Sequence, residues 1–129
     1  MKEEDIRRIV SRQRAFFETG ATLPVAYRLE ALKRLKNSLT KHEKALHDAL
    51  HADLGKSASE GYMCEVGLVQ SELRYMIRHT RSFARERRVH TPLSHFCSRS
   101  FVKPSPYGTA LIMSPWNYPV LLTLDPLAD

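Results

Sequence analysis

The sequence predicts a mostly α-helical chain: three long helices, then a short β ribbon, then one buried strand leading into a further helix. Three observations carry this reading. Apolar residues recur at helical spacing from Ile6 to Phe83 and Ala84. Beyond an irregular polar link, Leu93 to Arg99, the period changes and prolines gather. The run Ala110–Met113 is short, apolar and uninterrupted, as expected of a strand covered on both faces.

The first helix, about Glu3 to Glu18, places Ile6, Ile9, Val10, Gln13 and Phe17 on one face. Acids occupy its first turn and Gly20 stops it. Arg7, Arg8, Arg12 and Arg14 lie off the stripe and read as a solvated face. Pro24 suits the first turn of a second helix carrying Leu29, Leu32, Leu35, Leu39, Leu46 and Leu50, which ends before Gly55. At ~1.5 Å per residue its roughly 30 residues would extend ~45 Å. A helix that long packs against others. Ser57-Ala58-Ser59-Glu60 resembles a capping box opening a third helix. Met63, Val66, Gln70, Leu73 and Ile77 continue its stripe until His90-Thr91-Pro92.

Phe101–Lys103 and Tyr107–Ala110 then read as two extended pieces about Pro104-Ser105-Pro106. Proline cannot serve a central ladder, so an edge ribbon or projecting hairpin is expected. Pro119 starts a fourth helix, and no stop signal precedes Asp129. There is no internal repeat and no low-complexity segment.

A chain of 129 residues is long enough for one domain with a core. No stretch has the length and apolarity of a membrane span, and the acidic, polar N-terminus is unlike a signal peptide. A cytoplasmic setting is the expectation. The two cysteines, Cys64 and Cys97, have no metal-ligand spacing and read as free thiols. Twenty basic against fourteen acidic residues give a net charge of +6. The charges are interleaved along helix faces, and Arg78, Arg81, Arg85, Arg87 and Arg88 are expected to close a helix and offset its dipole. That pattern argues against a nucleic-acid partner.

Three motifs invite chemistry. His47-Asp48-Ala49-Leu50-His51 imitates a zinc-protease helix, with two histidines four apart. The acid is Asp where Glu is usual, a third ligand is missing, and Leu46 and Leu50 own the buried stripe. The histidines read as a helix shoulder, and no metal is expected. Cys97, with His95 and Arg99 near, has the polar setting of an activated thiol but no oriented base beside it in sequence. Asn117 lies where a strand's C-terminal end should be, the edge at which open α/β sheets bind ligands. It either caps the helix beginning at Pro119 or holds the Trp116–Pro119 turn, or else it donates its side-chain amide to a developing oxyanion. Residue types alone favour the cap or turn role.

The stretch Pro106-Tyr107-Gly108-Thr109-Ala110-Leu111-Ile112-Met113-Ser114-Pro115-Trp116-Asn117-Tyr118-Pro119 resembles the signature of the NAD(P)-dependent aldehyde dehydrogenase superfamily. Upstream the likeness is to its fatty-aldehyde, class III-like branch, through Arg28-Leu29, Leu32 and Leu35, then Ala49-Leu50, Ala52–Lys56, Glu65, Glu72-Leu73 and Tyr75–Ile77. It covers nearly the whole chain, least clearly Leu93–Arg99, and corresponds to the family's N-terminal portion only.

The resemblance implies an α/β parent fold with a Rossmann-like NAD-binding domain. Residues 1–99 would be the N-terminal helical part of that domain, and residues 100–107 the start of an oligomerisation arm. Residues 108–129 would be the first strand and the start of the next, truncated helix. It implies an enzyme that oxidises aldehydes to carboxylic acids with NAD or NADP, acting as a homo-oligomer, with a dimer expected. Asn117 takes the catalytic role of oxyanion donor, and Ser114, Pro115 and Trp116 line the nicotinamide-ribose side of the cofactor site. The family's nucleophilic cysteine, general-base glutamate and phosphate-gripping segments have no counterpart here. This chain alone is therefore expected to be inactive. The alternative is a stand-alone helical interaction module on the same scaffold.

Overall fold

A computed structural model describes residues 2–129. Its elements are α1 (Glu3–Glu18), α2 (Val25–Lys41), α3 (Glu43–Leu54), α4 (Ala58–Gly61), a π turn (Tyr62–Val66) and α5 (Gly67–Phe83). These are followed by β1 (Arg87–Val89), a 3-10 turn (Leu93–His95), β2 (Ser100–Val102) and α6 (Leu121–Ala128). The predominantly helical expectation holds. α2 and α6 both pack on α5, and the core is Leu39, Val66, Val69, Leu73 and Ala128. Leu32, Leu35, Leu46, Val120, Leu121 and Leu124 close around it. Burying a leucine as fully as Leu73 contributes ~1.5–3 kcal/mol.

α1 has the expected bounds, but its apolar stripe is not buried: Ile6 and Ile9 stand in solvent. The helix is supported locally. Glu3, Glu4 and Asp5 complement its dipole, and Arg7–Glu3 and Arg8–Asp5 pair along its face at 2.6 and 3.0 Å.

The single long second helix is corrected to two. His42 leaves helical geometry at φ −104°, ψ 12°, and α3 begins at Glu43. Glu43 accepts a hydrogen bond from the largely buried Gln70 Nε2 of α5 at 2.9 Å. A straight ~45 Å rod would carry its last leucines past the small core. The bend instead lets Leu46 join Leu39 in the core and sets Leu50 against Gly61 of α4. Gly55, at φ +67°, ends α3 in the left-handed conformation that glycine adopts without strain.

Ser57 is the expected cap: its Oγ accepts from the Glu60 amide at 3.1 Å. What the sequence conceals is the π turn beyond α4. It advances the stripe by one residue, so Met63 is 71% exposed while Glu65 is fully buried. Gly67 closes this turn with its amide on the Tyr62 carbonyl. A Cβ at Gly67 would lie 2.8 Å from that carbonyl oxygen. Gly67→Ala is therefore expected to cost ~1–3 kcal/mol, read as a lower urea midpoint with unchanged slope.

The third helix ends earlier than expected, at Phe83. Arg87–Val89 forms β1 and pairs antiparallel with β2, Arg88 facing Phe101. The ribbon is real and exposed, but the partner of Phe101–Val102 is this arginine strand and not Tyr107–Ala110. Pro104 and Pro106, in the link between the two pieces, have no amide donors of their own for a ladder. Only Arg78 and Arg81 of the basic group sit on α5; Arg87 and Arg88 extend along β1.

The buried strand Ala110–Met113 does not form. Residues 103–115 carry no regular element, and Leu111 and Met113 are 81% and 84% exposed. A strand requires a ladder partner, and the only sheet among the described residues is β1–β2. α6 starts close to where Pro119 suggested. At its far end burial, then the charge of Asp129, holds the Asp125 carboxyl above its ordinary range. Glu72 is shifted the same way by partial burial, then by Asp129 and Asp125.

Candidate active-site turn

The turn from Ser114 to Val120 is held from below by a buried ion pair. Past the glycine cap of α3, His51 Nδ1 lies 3.1 Å from the Lys56 carbonyl, so that nitrogen carries the proton. The Lys56 side chain turns inward. Its Nζ lies 2.6 Å from Glu65 Oε1, donates to the Asn117 carbonyl at 2.9 Å and sits 4.0 Å from the Tyr118 ring centroid. An ammonium removed from water needs such a set of partners: carboxylate, carbonyl and aromatic face.

Glu65 comes from the π turn with a side chain wholly out of solvent. Its second oxygen accepts from the amides of Val120 at 2.8 Å and Leu121 at 3.3 Å. A carboxylate there meets the positive end of the α6 dipole and satisfies amides that have no partner within the helix.

That arrangement removes side-chain capping of α6 from the readings of Asn117. α6 has no side-chain cap of its own, and Glu65 takes that role. Asn117 contributes its backbone carbonyl to Lys56 and leaves its side chain exposed, unbonded to any described residue. Ser114 Oγ is 2.6 Å from Thr123 Oγ1, which itself donates to the Pro119 carbonyl. The threonine proton is thus engaged, and Ser114 is the donor of the pair. Pro115 and Trp116 face solvent, Trp116 with 90% of its surface free. All four singled-out residues therefore share one turn.

The other candidates lie elsewhere. Cys64 is half-buried in the π turn and Cys97 is exposed in the loop before β2; both thiols are free. His51 is engaged by Lys56, and His47 Nδ1 lies buried near Gly61 without a hydrogen bond. No group of metal-ligating side chains is assembled among the described residues. No helix there is long and apolar enough to cross a membrane. Among the described residues, one open cleft lies along α1 and another between α1 and Tyr107–Thr109, and neither is lined by the turn.

Sequence reasoning missed Lys56 and Glu65 as parts of this site. Both lay within the family-like pattern, yet neither carries a local signal of inward orientation. Their partners are far along the chain.

The profile described as "Aldehyde dehydrogenase family" matches residues 1–129. The 4,4'-diaponeurosporen-aldehyde dehydrogenase of Staphylococcus aureus (strain NCTC 8325 / PS 47) is 36% identical over 114 residues, 88% of this chain and 25% of that protein. Aldehyde dehydrogenase family 3 member B1 of Homo sapiens is 39% identical over 116 residues, 90% and 25% of the two chains. The solved substrate-bound state of Staphylococcus aureus AldH superposes with a TM-score of 0.93 at 34% identity, covering 95% of this chain and 27% of that one. The chain thus spans about a quarter of the length of the relatives it matches. The chain belongs to the aldehyde dehydrogenase family.

Proposed function

We propose that these residues form the N-terminal part of an oxidoreductase that converts aldehydes to carboxylic acids with NAD or NADP. The observation that carries the reading is Asn117. It occupies the asparagine position of a Pro-Trp-Asn-Tyr-Pro turn, its backbone tethered and its side-chain amide free. A side-chain amide whose N–H donors are uncommitted, carried on a tethered backbone, suits donation to a developing oxyanion. Ser114, Pro115 and Trp116 would line the nicotinamide-ribose side of the cofactor site. They make one open wall, and the Ser114 hydroxyl is engaged by Thr123. These residues do not by themselves hold a dinucleotide.

Relatives supply the finer expectations. One, from Canis lupus familiaris, is named "Aldehyde dehydrogenase, dimeric NADP-preferring" and is 34% identical over 122 residues. By analogy the whole enzyme would be a homodimer, with residues 100–107 beginning its arm. The 129-residue chain alone would be inactive. Neither Cys64 nor Cys97 has the setting of the nucleophile, and no observation favours a separate interaction module.

Two incubations with NAD(P) and medium-chain aldehydes test this. The 129-residue chain should give no cofactor reduction above blank, while a longer protein carrying the same residues should turn over. Robust turnover by the short chain overturns its incompetence; none by the longer protein overturns the enzyme reading.

A further inference from the structure

We propose that Lys56 and Glu65 are the positioning pair for Asn117, a clamp that fixes the Asn117–Leu121 backbone while leaving the asparagine amide free. The inference rests on the oxyanion role proposed above, but the clamp can be tested without it.

The geometry is that of a two-sided grip. The Lys56 ammonium takes the carbonyl of Asn117, and the far oxygen of Glu65 takes the amides of Val120 and Leu121. The 2.6 Å Lys56–Glu65 contact joins the two holds into one unit, and the Tyr118 ring covers the ammonium. Five consecutive residues are thus bound at both ends to one buried ion pair. Among the described residues, no other hydrogen bond from the preceding helices reaches this backbone. The remaining ones, from Leu122 to Tyr118, Thr123 to Pro119 and Leu124 to Val120, stay within the segment and α6.

Core packing alone would not require charge here. An apolar pair of similar size fills a buried site as well as an ion pair, often with equal or better stability. Directional hydrogen bonds to one carbonyl and two amides are what charge adds. Placement of a donor to within about half an ångström is what oxyanion stabilisation needs.

Amide hydrogen exchange of the 129-residue chain, followed by NMR, is the test. Two variants separate charge from packing: the apolar double Lys56→Met/Glu65→Leu, and the isosteric Glu65→Gln. In the second, the new amide group must face either the ammonium or the α6 amides, donor against donor. The apolar double should lose at least about tenfold of the protection at Val120 and Leu121 while α5 amides around Leu73 keep theirs, and Glu65→Gln, which keeps one carbonyl oxygen, should lose less. The fluorescence anisotropy of Trp116, the chain's single tryptophan, should fall in parallel. Retained protection at Val120 and Leu121 in the apolar double variant overturns the clamp. Loss spread equally over α5 also overturns it, since the pair would then be general core support. In the longer enzyme, Glu65→Gln should lower kcat with little change in KM for the cofactor. An unchanged kcat there, with protection lost, overturns the link to Asn117. Absence of wild-type turnover overturns the enzyme reading and leaves the exchange result to decide the clamp.

Discussion

Replacing Glu65 with alanine is expected to destabilise the chain by about 3–5 kcal/mol. The residue has no solvent exposure, so the substitution leaves the Lys56 ammonium buried with only the Asn117 carbonyl and the Tyr118 ring. It also strips the Val120 and Leu121 amides of their acceptor. Either loss is costly by itself, because a buried polar group without a partner forfeits hydration and receives nothing in exchange. A domain of this size has roughly 5–15 kcal/mol in total, so the variant should approach the unfolding threshold at room temperature. A urea titration followed by circular dichroism reads the change directly. By contrast, Glu3→Ala removes only the exposed Arg7 pair and should move the midpoint hardly at all. Equal midpoints for wild type and Glu65→Ala would mean that water reaches the pair.

The second large effect concerns chemistry. Asn117→Ala, made in a longer enzyme that turns over aldehydes, should lower kcat by about 10²–10³-fold, the loss typical of removing one oxyanion donor. Stability should be nearly unchanged, since the side chain is exposed and bonds to no described residue. The carbonyl that Lys56 holds is unaffected by the substitution. Cofactor KM should stay close to wild type, because Asn117 is proposed to act on the substrate oxygen. A variant with normal kcat would remove the oxyanion role from this residue.

Much of the scaffold could be read from local sequence. The bounds of α1 follow from its acidic first turn and Gly20, the Ser57 cap from its spacing to Glu60, and the start of α6 from Pro119. The family was legible in the residues around Trp116. What escaped has distant causes. The bend at His42 has no proline or glycine to announce it and is tied by Glu43 to Gln70 on another helix. β1 lies in an arginine-rich stretch that reads as a helix end, and only Phe101 and its neighbours make it a strand. Ala110–Met113 has the composition of a strand, but composition cannot provide a ladder partner. Residue types alone favour a cap or turn role for Asn117, next to α6, but the cap is supplied by Glu65, 55 residues before Val120. No window-based reading reaches that far.

The π turn gives the long helical segment two angular phases. One residue of an α-helix is ~100° of rotation, so a single extra residue turns α4 relative to α5. On the α4 side, Gly61 faces His47 and Leu50 of α3. On the α5 side, Val69 and Leu73 face the α2 leucines. An uninterrupted α-helix would satisfy one of these surfaces and misdirect the other. Glu65 stands at the joint, which lets its carboxylate leave the helix in a direction that neither packing face uses. The asparagine turn therefore takes its placement from the phase of a helix to which it is not adjacent in sequence.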